Sequence, residues 1–130
     1  MTRTWLGIDA GTSVVKAALF DDEGEARAVA GRPLELVHAA GDGVEQDLDA
    51  IVAAIAEVTR EVSAGHVPHV VAITGQGDGC WVTDEAGRAV RPALSWLDGR
   101  AGGILGRWNA DGVTERVFRT NGTTVFPGAP

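Results

Sequence analysis

Two short stretches of this chain set glycine beside polar side chains in patterns that chemistry can use. In Gly7-Ile8-Asp9-Ala10-Gly11-Thr12-Ser13-Val14-Val15-Lys16, a carboxylate ends an apolar run and is followed by a glycine, two hydroxyls and a lysine. Asp9 can hold a magnesium ion directly or through water. Gly11 lets a phosphate approach the backbone, and Thr12 and Ser13 offer hydroxyl and amide donors to its oxygens. Lys16 adds one positive charge at the rim. The pattern is not a Walker loop, in which glycine, lysine and serine or threonine open a helix, because here the glycine joins two strands. An ordinary hairpin turn with a solvated aspartate uses the same residues, so this motif alone leaves both readings open.

The second stretch is Ile73-Thr74-Gly75-Gln76-Gly77-Asp78-Gly79-Cys80-Trp81. Its glycines bare main-chain amides just past an apolar run, while Gln76 and Asp78 supply an amide and a carboxylate. That pair suits a polyhydroxylated ligand, since the carboxylate accepts from hydroxyls and the amide both accepts and donates. Further on, Trp96 precedes Asp98 and Arg100 in Leu94-Ser95-Trp96-Leu97-Asp98-Gly99-Arg100. Trp96 can face the carbon side of a sugar, and Asp98 is another acceptor. A glycine-rich turn, a core tryptophan and an aspartate–arginine pair at a helix start would give the same residues a purely structural use.

The elements that must carry these groups can be read from periodicity. Trp5–Asp9 and Val14–Phe20 read as strands joined by the tight Ala10–Ser13 connection. Ala26–Leu36, interrupted by Gly31 and Pro33, reads as an edge or bulged strand completing an antiparallel meander. Gly41–Gln46 reads as a loop. Asp47 or Asp49 then caps a helix running to about Ala64, where Gly65 stops it. Leu48, Ile51, Val52, Ile55, Val58 and Val62 form its apolar stripe. Val67–Thr74 is a near-continuous apolar run, the pattern of a strand covered on both faces, so the helix is expected to cross over onto a mixed sheet. Cys80–Thr83 and Ala89–Trp96 flank Asp84-Glu85-Ala86-Gly87 as a second hairpin, with turn chemistry like that of Asp21-Asp22-Glu23-Gly24. Asp98–Asn109 is helical in pattern but glycine-rich, a short helix follows over Val113–Arg119, and Phe126–Pro130 is expected to cap nothing.

Composition narrows the partners. A length of 130 residues suits a single domain. A net charge of −7 with no lysine or arginine cluster gives no footprint for nucleic acid or an anionic membrane. The single cysteine, Cys80, excludes an internal disulfide framework, and the three histidines show no zinc-ligand spacing. With no long apolar run and no signal pattern, a cytoplasmic location is expected.

Taken in order, Gly7–Asp21, Ala72–Gly79 and Asp84–Arg100 strongly resemble the beginning of the FGGY family of carbohydrate kinases, and the resemblance covers nearly the whole chain. It implies an α/β, actin-like (ribonuclease H-like) ATPase domain, present in part, and phosphorylation of a sugar or polyol hydroxyl with ATP and Mg²⁺. By the same resemblance, Asp9 looks like the Mg²⁺-associated carboxylate, Gly11, Thr12 and Ser13 like the first phosphate turn, and Lys16 like its rim. Gln76, Gly77 and Asp78 fall where relatives grip sugar hydroxyls. Trp96 matches a tryptophan that packs on substrate, and Asp98 and Arg100 continue that motif. The Gly-Gln-Gly-Asp-Gly form looks nearest the erythritol and related polyol or pentulose kinases. The resemblance further implies that residues 1–130 are the first part of the sugar-binding N-terminal domain. The ATP-binding domain and the catalytic base would lie after Pro130, and this chain alone would be inactive. Its expected partners are a small sugar or polyol, plus the remaining C-terminal portion or another copy of the chain. A sugar- or phosphate-binding module without catalysis and a different actin-fold ATPase are the alternatives.

Overall fold

The computed structural model describes residues 3–129. Its elements, in chain order, are β1 (Trp5–Ala10), β2 (Val14–Phe20), β3 (Ala26–Pro33), β4 (Val37–Ala39), β5 (Gly43–Gln46), α1 (Leu48–Ser63), β6 (Val70–Gly75), β7 (Ala93–Leu94), α2 (Gly102–Ala110) and α3 (Val113–Asn121). They divide into two compact units. The first runs to Glu35 and resumes over Asp47–Gln76; the second holds Leu36–Gln46 and the chain from Gly77 onward.

In the first unit, the strand order is β3-β2-β1-β6, with β6 parallel to β1 and the other pairs antiparallel. Alternation decides the faces. Leu6 and Ile8 of β1, Val15, Ala17 and Leu19 of β2, and Ala30 of β3 turn to one side, where Ala54, Val58 and Val62 of α1 complete the core. Burying each of the larger aliphatic side chains contributes roughly 1.5–3 kcal/mol. Arg32 fastens the sheet to the helix surface by reaching Glu57 at 2.9 Å and Glu61 at 2.5 Å.

The ends of α1 follow from its sequence. Asp47 is the N-cap, its carboxylate accepting from the Asp49 amide at 2.8 Å and the Ala50 amide at 3.1 Å. At the other end, Ala64 and then Gly65 take left-handed backbone, with φ of 46° and 82°, so the chain turns away. Asp47→Ala is expected to cost about 1 kcal/mol, because both amides lose their acceptor. A thermal melt followed by circular dichroism would show this as a drop in Tm of roughly 4 °C.

Several sequence expectations are corrected. Val52 is 64% exposed, and Ala54 takes a place in the buried stripe instead. The phase of a six-member stripe is ambiguous by one position when alanine can count as apolar. The apolar run ending at Thr74 is not covered on both faces: β6 lies at the sheet edge and every one of its residues is exposed. A β-branched run satisfies an edge strand as readily as a central one. The Ala26–Leu36 segment is an edge strand as expected, shortened to Pro33, with a register irregularity opposite Leu19 and Phe20.

The second unit holds a three-stranded antiparallel sheet of order β4-β5-β7. The stretch expected as a loop at 41–46 therefore contains strand β5, which pairs with β4 and β7. Only isolated bridges, Cys80 with Leu94 and Thr83 with Ala89, remain of the expected Cys80–Trp96 hairpin outside β7. The turn likeness does hold. Asp21 accepts from the Glu23 and Glu25 amides and pairs with Arg27, and Asp84 accepts from the Ala86 and Arg88 amides and pairs with Arg88. Helices α2 and α3 pack on one another. Among the described residues, no helix is long and apolar enough to cross a membrane.

Candidate functional site

The first turn is built by β1 and β2. The antiparallel register sets Asp9 opposite Lys16, and the parallel register sets Asp9 beside Thr74. Successive side chains alternate faces, so Asp9, Lys16 and Thr74 share the face of the sheet away from α1. Asp9 and Lys16 are both exposed. Gly11 closes the turn by donating its amide to the Val14 carbonyl at 3.1 Å. A Cβ at Gly11 would lie 2.9 Å from that same oxygen, so the turn requires glycine there. Ser13 is exposed, and its carbonyl accepts the Leu34 amide at 2.9 Å.

One finding ties the two sequence motifs together. The Thr12 hydroxyl donates to the Gln76 side-chain oxygen at 2.9 Å, and the Gln76 amide donates to the Ala10 carbonyl at 3.1 Å. Residues 64 positions apart thus share one hydrogen-bonded corner at the carboxyl ends of β1 and β6. A backbone turn of this kind, edged by a hydroxyl, a carboxylate and an ammonium, can cradle phosphate oxygens. Among the described residues, no group of three or more His, Cys, Asp or Glu could hold a metal by itself. The donors present fit a metal that arrives on a nucleotide and takes Asp9 as a protein contact, directly or through water.

In the second unit, Asp78 is held with φ of 59° and Gly79 with φ of 77°. Left-handed backbone is uncommon for a residue with a side chain, although aspartate tolerates it better than most, so this turn holds a local cost at a candidate site. Three contacts support it. The Trp81 indole N–H donates to the Asp78 carbonyl at 2.7 Å. The Gly79 amide donates to the Gly128 carbonyl at 2.9 Å, and the Cys80 amide to the Leu94 carbonyl at 2.9 Å. The Asp78 side chain is exposed and so is Gly77.

Trp96 is 39% exposed. Asp98 is placed differently from its expected role as a substrate contact. It is 5% exposed. One of its oxygens accepts the Val44 amide at 2.9 Å and the Arg100 Nη2 at 2.6 Å, and the other accepts the Arg100 amide at 3.0 Å. These arginine hydrogen bonds hold its carboxyl down to about 2, outweighing burial, which pushes it up. Arg100 is raised in turn by Asp98 and then by Glu45. Glu45 accepts from both Arg91 at 2.7 Å and Arg100 at 2.8 Å.

Sequence reasoning missed Glu45, Trp81 and Gly128. Glu45 lies in a strand read as a loop, and Trp81 follows the quoted motif directly without having been given a use. The ending expected to cap nothing docks on Gly79 instead, and only the Pro127-Gly128 turn signal hinted at it.

An α/β unit with an antiparallel meander, a crossover helix, a parallel edge strand and a glycine–hydroxyl turn beside an aspartate defines the actin-like class of phosphotransferase and ATPase domains. Residues 4–130 match the FGGY family of carbohydrate kinases, N-terminal domain, and the chain belongs to that family. It is 34% identical over 125 residues to an erythritol kinase of Brucella abortus, covering 91% of this chain and 24% of that protein. It is 30% identical over 137 residues to the L-xylulose/3-keto-L-gulonate kinase of Escherichia coli, covering 100% of this chain and 27% of that one. The glycerol kinase of Plasmodium falciparum, solved with ADP, superposes with a TM-score of 0.86 at 20% identity over 98% of this chain and 27% of that chain. The chain thus spans about a quarter of the length of the relatives it matches.

Proposed function

We propose that this chain supplies the first part of the N-terminal, sugar-binding domain of an ATP- and Mg²⁺-dependent kinase acting on a hydroxyl of a small polyol or ketose. The observation that carries this reading is the Thr12–Gln76 hydrogen bond, which joins the phosphate-type turn to the start of the polyol-type loop. In this assignment Asp9 contacts the metal, while Gly11, Thr12 and Ser13 meet phosphate oxygens with Lys16 at the rim. Gln76, Gly77, Asp78 and Trp96 meet the polyol. MgATP, when bound, supplies the phosphoryl group and neutralises its charge. Asp9 and Lys16 orient it, and Asp78 and Gln76 fix the acceptor's hydroxyls. The proton acceptor is assigned to sequence after Pro130, as is the C-terminal, ATP-binding domain. Asp98, with both oxygens engaged inside the protein, is assigned to holding the Trp96 segment in place rather than to the polyol.

The Asp78 carboxylate and the similarity to an erythritol kinase favour a polyol or pentulose as substrate. A coupled ADP-release assay tests this with erythritol, xylitol, glycerol, D-xylulose, L-xylulose and gluconate. The expected result is polyol-dependent turnover by the complete reading frame and none by residues 1–130. ADP release independent of any acceptor would support a plain ATPase instead. Polyol binding by a reading frame that stops at Pro130 would favour a module without catalysis.

A further inference from the structure

The segment Phe126–Ala129 forms a tight turn, with the Ala129 amide donating to the Phe126 carbonyl at 2.9 Å. Its Gly128 is buried and meets two parts of the candidate polyol site at once. The Gly128 carbonyl accepts the Gly79 amide, and its bare Cα faces the Trp96 main chain so closely that a Cβ would overlap the Trp96 carbonyl. Gly79 approaches the same neighbours from its own side: a Cβ there would lie 2.6 Å from the Leu94 carbonyl oxygen and 3.2 Å from the Trp96 nitrogen. Three strips of backbone, at 78–79, 94–96 and 128, therefore meet closely, with the Trp81 indole nitrogen beside them, 3.2 Å from where a Gly79 Cβ would lie. A hollow of about 180 Å³ beside them is lined by Gly79, Ser95, Asp98, Pro127 and Gly128, among others.

We propose that Gly128 is a positioning residue that sets the spacing between Asp78 and Trp96. It does so by bracing the left-handed Asp78–Gly79 turn against the Trp96 backbone while touching no ligand itself. The consequence for substrate choice rests on the polyol reading given above. With the brace in place, the carboxylate and the indole face are held at a distance that suits one length of polyol. Without it, the strained turn relaxes and that distance is lost. A residue that acts through main-chain contact alone tolerates no added methyl group, and any side chain at Gly128 must displace either the turn or Trp96.

The test uses the ¹⁵N-labelled chain of residues 1–130 and its Gly128→Ala variant. In the unaltered chain, the Gly79 amide should exchange slowly with solvent. In the variant, its exchange should accelerate roughly tenfold or more. The Trp81 indole resonance, which reports the bond to the Asp78 carbonyl, should also move. The Asp84 turn and the amides of β1 and β2 should be unchanged, which separates a positioning role from general loss of structure. Titration with erythritol should then show affinity weakened roughly 10- to 100-fold in the variant. A Gly79 amide that exchanges freely in the unaltered chain overturns the proposal without any variant. A variant with unaltered Gly79 exchange and Trp81 resonance overturns it as well. If the variant loses its dispersed spectrum, a chain ending at Val125 gives the same readouts without the added methyl group. If erythritol perturbs neither protein, the exchange and indole data still decide the role of Gly128, and the acceptor assay on the complete reading frame decides the polyol reading.

Discussion

Asp98→Ala should destabilise the protein by about 3 kcal/mol, because it leaves a buried amide and a guanidinium without their acceptor. Val44 is 9% exposed, so water does not readily replace the carboxylate on its N–H. Arg100 keeps Glu45, which holds the loss below that of a fully orphaned buried charge. Thermal unfolding followed by tryptophan fluorescence would measure it, with Tm falling roughly 10 °C. The same residue gives a pH signature. Its folded carboxyl lies at about 2, below the ordinary value of 3.8, so folding favours the ionised form. The stabilisation is present above about pH 4 and is lost as pH falls through about 2. Asp98→Asn keeps an acceptor for Val44 but removes the charge. Its stability should lose that part of the acid dependence, so the two curves converge as pH drops towards 2. Parallel curves for the two proteins would mean that Arg100 does not hold the carboxylate as described.

Gly79→Ala should cost about 3 kcal/mol, and the comparison with Gly87 shows why. Both glycines have φ of 77°. A methyl group at Gly87 meets nothing within 4 Å, whereas at Gly79 it meets the Leu94 carbonyl oxygen at 2.6 Å. Gly87→Ala therefore reports the conformational cost of left-handed backbone alone, about 1 kcal/mol. Gly79→Ala adds the displacement of a main-chain carbonyl that accepts the Cys80 amide and is not free to swing away. Paired urea titrations should separate the two variants by about 2 kcal/mol. Equal losses would show that the Leu94 segment yields without resistance, and that the 78–79 turn is not clamped.

The legible parts of this protein were those in which a local pattern has one physical solution. Val14–Phe20 is legible with its ends correct because alternation, a glycine turn before it and the Asp21-Asp22-Glu23-Gly24 turn after it bound it on both sides. A cap at Asp47 or Asp49 is legible because an aspartate before an apolar stripe satisfies open amides, and the fold settles it on Asp47. The fold class and the two motifs were legible as well, the motifs because glycines that permit close approach leave a visible signature. The rest depended on tertiary partners. Nothing within Gly43-Val44-Glu45-Gln46 says that two strands will pair with it. The run Val70–Ile73 is apolar whether or not anything covers it. Asp98 reads as available because it stands beside a glycine in a motif with Trp96 and Arg100, and only the fold brings the Val44 amide against it.

Strand β6 bears on how this polypeptide would evolve in the laboratory. Val70, Val71 and Ile73 are 47%, 50% and 64% exposed on a strand that, among the described residues, pairs only with β1. An apolar edge of this kind invites sheet extension between molecules, and natural sequences blunt such edges with lysine, proline or a bulge. A library of this chain selected for yield or clarity of lysate would therefore enrich polar and charged replacements at those three positions first. Such winners would be cured of stickiness while their glycine turns stayed as they are, so enrichment in that screen would map the unprotected edge and carry no information about phosphoryl transfer.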